Sequence, residues 1–248
     1  MLFRSEVRDA LWVNWALPRS VLPALPPPLV ADTLGIGEGE VGFASLVLLR
    51  HVGLRHAGIP WPRLSFPQCN FRLLVRDEER VASVFFLREL MPAWAVPIAR
   101  GIGRLPASAA ILRVTGDAAG EIHWTIAAGR KLALAARPGA PAPPAPLPGN
   151  WPETVAFFRE RPRGYVASGR KLSRLSAEHP GAAGIPMQVD LIETGWLEAR
   201  MPEVEASIWQ RPHSAFLIPS IALTFAVETG VELRNSAELA PESRPAVT

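Results

Sequence analysis

Along most of the chain, apolar and polar positions alternate in short runs. Cys69, Phe71, Leu73 and Val75 alternate with Gln68, Asn70, Arg72 and Leu74. That period of two marks a β-strand, whose successive side chains leave opposite faces. Glu121, His123 and Thr125 alternate in the same way with Ile122, Trp124 and Ile126, which predicts a half-buried strand. Apolar runs over 40–52, 81–88, 111–115, 165–176, 187–193 and 222–233 predict further strands. Helical signals are few. One covers 93–104, where Pro97 and Gly101 weaken the interior. The other covers 151–161: Pro152 suits a first turn, Glu153 the positive helix end, and Val155, Phe157 and Phe158 form an apolar face. The N-terminal segment reads as a short helix or strand that turns at 23–28. Many strands with few helices predict a mainly β fold, a curved or closed antiparallel sheet with a minor α+β component.

The proline-dense stretch 138–149 cannot form helix or inner strand, because proline lacks the amide donor. It reads as a surface loop inside one domain spanning 1–235. The polar segment 236–248 is expected to be a disordered tail.

Composition narrows the chemistry. Two of the 26 basic residues, Lys131 and Lys171, are lysines and the other 24 are arginines, so only two side chains offer an amine for a Schiff base. Net charge is only +3. The basic cluster Arg159, Arg161, Arg163, Arg170, Lys171 and Arg174 comes with no nucleic-acid motif and reads as a solvated surface, so no nucleic-acid partner is expected. Cys69 is the single cysteine, which excludes an internal disulfide and a cysteine-based metal site. No run is long enough to span a bilayer as a helix, and the first residues lack the apolar core of a signal peptide, so a cytoplasmic location and no membrane partner are expected. Neither His-x-His nor His-x-x-x-His spacing occurs; no metal and no cofactor are expected.

Several motifs carry a family resemblance. Asn14-Trp15 is followed by Pro18, Leu22 and Pro26. Phe66-Pro67-Gln68-Cys69-Asn70-Phe71-Arg72 is followed by Val84-Phe85-Phe86-Leu87, Ala99-Arg100 and Leu105-Pro106. Phe157-Phe158-Arg159-Glu160-Arg161, Glu178-His179-Pro180 and Pro212-His213-Ser214 come later in the same order. In this order the chain resembles the YqjF-like branch of the acetoacetate-decarboxylase-like superfamily. The resemblance implies an open, cone-like antiparallel β-barrel with two or three flanking helices and a polar pocket inside.

The departures from that family matter most. The resemblance implies a nucleophilic lysine after the first helix, but Ala99 to Ser108 contains none. Where Phe-x-Glu-x-Asn-x-Arg is usual, Gln68 replaces the acid, and an amide cannot exchange a proton near neutral pH. Ala107 replaces the tyrosine that usually follows Leu-Pro. The expectation is a small-molecule pocket without Schiff-base decarboxylase activity, taking a small organic acid or a polar ketide-like compound. Gln68, Asn70 and Arg72 share one strand face and form the expected ligand row, with Arg100 as a second anion contact or, equally, a structural partner of Glu89. His123, His179 and His213 are the available proton carriers, and His179 is the candidate catalytic residue. His51 and His56 read as surface residues near a turn. The alternative is a lysine-independent lyase, cyclase or dehydratase using His/Arg acid–base chemistry. The sequence is compatible with a homo-oligomer.

Overall fold

The structure is a computed structural model that describes residues 1–36, 39–103, 105–117, 120–141, 147, 149–168, 171–178, 180–228 and 231–232. In chain order the elements are β1 (Leu2–Pro18), β2 (Val30–Ala31), β3 (Leu34–Ile36), β4 (Gly39–His56), β5 (Leu64–Arg76), β6 (Ala82–Met91) and α1 (Val96–Gly103). Then follow β7 (Ala107–Ala109), β8 (Ile111–Gly116), β9 (Ile122–Ala128), β10 (Arg130–Pro138), α2 (Trp151–Arg159), β11 (Arg163–Ser168) and β12 (Lys171–Glu178). The last are β13 (Ile185–Glu193), α3 (Gly195–Arg200), α4 (Ala206–Trp209), β14 (Ser214–Val227) and β15 (Val231–Glu232).

The strands pair in the order β12-β11-β6-β5-β4-β1-β14, and β12 also pairs with β14, which brings the row round on itself as a barrel. Every pair in this ring is antiparallel except β6–β11, where Ser83–Phe85 run parallel to Arg163–Tyr165. A second run of strands, β8-β9-β10-β13, joins the barrel through Ile185 and Pro186 of β13 against β14. The strand alternation separates two packing layers. Cys69, Phe71 and Leu73 face outward into a core shared with Trp124, Trp196 and Trp209. The opposite face looks into the barrel, where Phe158 of α2 packs edge-on against Phe43 of β4 and fills one end. Buried Asn14 links three strands there, accepting from the Ser45 hydroxyl at 2.6 Å and donating to Ser214 Oγ at 3.2 Å.

Both sequence-predicted helices form, each shorter than expected. α2 is anchored by a capping box in which Asn150 and Glu153 satisfy each other's backbone amides. The N-terminal segment is a 17-residue strand, because β1 is buried on both faces through its middle and so shows no alternation. β14 begins eight residues before the predicted 222. Pro219 conceals that start; the ladder accommodates the proline opposite Asp9, whose φ of 48° interrupts the pairing of β1. The predicted strand over 165–176 is two strands, β11 and β12, paired as a hairpin. α3 and α4, unanticipated from sequence, close the outer core with Trp196, Leu197 and Trp209. Within the proline-dense stretch, 142–146 and 148 lie outside the described residues, as does all of 236–248. Among the described residues, no helix is long and apolar enough to cross a membrane.

Candidate functional site

A cavity of about 220 Å³ lies within the barrel, its wall formed by β1, β4, β5, β6, β12 and β14 together with α1. Its lining is mainly apolar and includes Phe3, Trp12, Phe66, Phe86 and Phe225. Polar groups enter at two places. Gln68, Asn70 and Arg72 follow one another along β5, all on the cavity face, and Glu89 of β6 stands directly across from Asn70. His51 of β4 completes this group.

His51, Gln68 and Glu89 form a connected set. Gln68 Nε2 donates to Asn70 Oδ1 at 2.7 Å and to Glu89 Oε2 at 3.3 Å. Its amide oxygen therefore faces His51 Nε2, 3.1 Å away, which makes that ring nitrogen the protonated one. His51 Nδ1 lies 2.9 Å from the Ser5 hydroxyl. Glu89 is 2% exposed, and Gln68 is the one hydrogen-bond partner of its carboxyl among the described residues. Burial pushes its carboxyl up to about 8, and no cation among the described residues pairs with it to offset the desolvation. Burial acts oppositely on His51 and pushes it down to about 4, only partly opposed by Gln68. Near pH 7 the acid and the base are therefore both uncharged.

The other polar place is cationic. Arg72 Nη2 donates to the Phe158 carbonyl at 3.3 Å, while its Nε is sealed from water with no partner among the described residues. Burial, and then the neighbouring Arg161 guanidinium, hold its pKa below the ordinary arginine value. Arg161 and Arg159 also line the cavity, but each has an acid: Arg161 Nη1 meets Asp32 at 2.5 Å and Arg159 Nη2 meets Glu160 at 2.7 Å. These two arginines are buried at the end of α2, not on the solvated surface expected of their cluster.

Arg100 does not join the row. It is exposed on α1, outside the cavity lining, and its Nε donates to the Ala107 carbonyl at 2.9 Å. His179 lies outside the described residues. His123 is exposed and pairs with Glu121 at 3.0 Å. His213 packs against Phe43 and Phe158 with Nδ1 3.1 Å from Ser214 Oγ. His51, read from sequence as a surface residue, is buried because β4 continues past it to His56.

Glu89 was missed as a cavity group for a specific reason. β6 carries one extra residue: Phe71 pairs with Arg88 and Arg72 with Phe86, so Leu87 bulges. Counting by twos from Val84 and Phe86 would turn Arg88 inward and Glu89 outward; the bulge reverses both. Among the described residues, no group of three or more His, Cys, Asp and Glu side chains is arranged to hold a metal ion.

A family model described as DUF2071, uncharacterized conserved protein (COG2071), matches residues 4–219. A comparison with curated proteins finds no match. Among solved structures, the chain is similar to acetoacetate decarboxylase from Legionella pneumophila, at 12% identity and TM-score 0.59, over 93% of this chain and 88% of that one. It is also similar to an acetoacetate decarboxylase-like enzyme from Sphingomonas wittichii, at 11% identity and TM-score 0.54, over 94% and 92%. The enduracididine biosynthesis enzyme MppR, solved with the condensation product of pyruvate and imidazole 4-carboxaldehyde, matches at 12% identity and TM-score 0.53, over 94% and 89%. These likenesses establish the mostly β, acetoacetate-decarboxylase-like fold.

Proposed function

The chain belongs to the DUF2071 family of uncharacterized conserved proteins, and from that premise we propose that its barrel holds a small organic acid or polar ketide-like compound without forming a Schiff base. The observation that carries this reading is Arg72: a guanidinium inside a largely apolar cavity, with a sealed Nε and no carboxylate of its own among the described residues. A buried cation without a counter-ion is costly, and a bound carboxylate would offset that cost through a charge-assisted fork. Gln68, Asn70 and Glu89 then face the rest of the ligand with neutral donors and acceptors.

Arg100 is not needed in this arrangement; the neighbouring guanidinium that acts on Arg72 is that of Arg161. The absence of a covalent step is supported by the lysines. Lys131 and Lys171 are both exposed and lie outside the cavity lining. The protein is expected to work in the cytoplasm, with no cofactor and no nucleic-acid partner.

A second reading has its own observation. Glu89 is a carboxyl held protonated near neutral pH inside the cavity, the property required of a general acid. With it, the barrel would support a lysine-independent lyase, cyclase or dehydratase step on a bound oxo acid. MppR, of similar fold, is named as a biosynthesis enzyme and was solved with a pyruvate-derived product.

Calorimetry against small carboxylic acids and their amides tests the binding reading. The parent should bind acids and not the matching amides, and Arg72→Met should weaken acid binding about ten-fold or more. Equal binding by parent and variant would remove the reading. Turnover of any bound oxo acid, lost in Glu89→Gln with binding retained, would establish the second reading.

A further inference from the structure

The bulge that turns Glu89 into the barrel turns Arg88 out of it. Arg88 enters a separate cleft of about 510 Å³ between β6, β7, β9 and α3. Its Nη1 donates to Ser108 Oγ at 3.1 Å, and its Nε is sealed from water with no partner among the described residues. Among the described residues, four arginines carry such a sealed, unpartnered Nε: Arg50, Arg72, Arg88 and Arg159. Arg50 has Asp9 and Arg159 has Glu160 as counter-ion, whereas Arg72 and Arg88 have no carboxylate within 4.0 Å among the described residues. They stand on opposite faces of the same sheet, Arg72 inside the barrel and Arg88 outside it.

The surroundings of Arg88 add positive charge and no acid. Arg200 of α3 shares the cleft lining, its guanidinium 5.8 Å from the Trp196 ring. Arg200 and Arg100 both act on Arg88 as like charges, on top of its burial. Neither forms an ion pair among the described residues, and the cleft lining contains no Asp or Glu. Arg100 satisfies its Nε on the Ala107 carbonyl, whereas the Arg88 Nε is closed off from water with no partner among the described residues. The floor is apolar: Leu90, Ala127, Ala128 and an Ile111 side chain left 63% exposed.

We infer that this outer cleft is a second anion site, in which the Arg88 and Arg200 guanidiniums take the oxyanion head of a small molecule whose apolar body rests on Ile111 and Leu90. The head is a carboxylate or a phosphate monoester, since guanidinium forks match both. The site is independent of the barrel cavity, and its occupancy does not require Arg72. Arg100, expected from sequence either to meet the same anion as Arg72 or to pair with Glu89, contributes its charge here instead.

The probes are phenyl phosphate, benzoate and inorganic phosphate, titrated calorimetrically into the full chain at fixed chloride. Phenyl phosphate or benzoate should bind more tightly than inorganic phosphate, because only they cover the apolar floor. Arg88→Met and Arg200→Met should each weaken phenyl phosphate by about ten-fold, whereas Arg72→Met should leave it unchanged. Arg88→Lys keeps the charge without the fork and should also weaken binding; it serves if Arg88→Met fails to fold. The inference is overturned if neither aromatic probe binds at millimolar concentration. It is equally overturned if the folded Arg88 and Arg200 variants bind like the parent, or if binding is lost in Arg72→Met instead. Loss of carboxylate binding in the barrel alone would leave this site standing.

Discussion

Gln68 Nε2 lies 3.3 Å from Oε2 of Glu89, an amide nitrogen against a buried carboxyl. Gln68→Glu is nearly isosteric and would place a second carboxyl there, still facing His51. Two carboxyls at that distance resist joint ionisation. The variant should fold like the parent but lose about 1–3 kcal/mol relative to it above roughly pH 8, with a smaller difference near pH 5. Urea midpoints across that range measure the effect. Superimposable curves would mean that the residue 68 side chain does not meet Glu89.

The parent should have its own pH signature. Glu89 is raised from 4.5 to about 8 on folding, so the folded state holds a proton that the unfolded state releases. Its contribution is complete below pH 4.5 and is lost as pH rises through 8. His51 is lowered from 6.5 to about 4, so the unfolded state holds the extra proton and stability rises with pH between those values. The two slopes oppose each other between 4.5 and 6.5 and leave a plateau. From 6.5 to about 8 Glu89 acts alone, and stability falls by up to about 1.4 kcal/mol per pH unit. Denaturant melts of the parent and Glu89→Gln decide it: the decline should vanish in the variant.

The β5 row and its common face were legible from alternation alone, because Cys69, Phe71 and Leu73 mark the opposite side. What the row faces was not, since that depends on which strands pair across the barrel. Glu89 was concealed by the bulge at Leu87, a one-residue event that leaves no composition signal and reverses parity. Arg159 and Arg161 were concealed by their neighbours: a run of basic residues reads as surface. Their acids, Glu160 next door and Asp32 far upstream, meet them only once α2 has docked.

Amine trapping provides a separate check. Lys131 is 62% exposed and lies 3.6 Å from Glu193, and Lys171 begins β12 on the exterior. Neither amine reaches the cavity in which a bound ketone would meet it. Borohydride added with acetoacetate or pyruvate should leave the intact mass unchanged. A stable adduct on either lysine would establish a Schiff base that the cavity geometry does not provide.

The charge distribution along the cavity also predicts which acids it accepts. Among the described lining residues the positive charge without a carboxylate partner is at the Arg72 end, whereas Gln68, His51 and Glu89 at the other end are uncharged near neutral pH. Along β5, Arg72 and Asn70 are two residues apart, which puts Glu89, opposite Asn70, roughly 7 Å along the strand from the cation. An acid held by Arg72 therefore presents its far end to a protonated carboxyl and an amide. A ketone oxygen is satisfied there by the Glu89 proton; a second carboxylate is buried without a counter-ion and competes with Glu89 for that proton. Chain-matched probes separate the two cases: 5-oxohexanoate should bind at least about ten-fold more tightly than adipate. Raising the pH through 8 ionises Glu89 and should weaken 5-oxohexanoate, because the donor is lost and a like charge is gained. Glu89→Gln keeps a donor that does not titrate, so it should bind the oxo acid with little pH dependence across the same range. Equal affinity for adipate, or an unchanged pH profile in Glu89→Gln, would show that the ligand's far end does not reach Glu89.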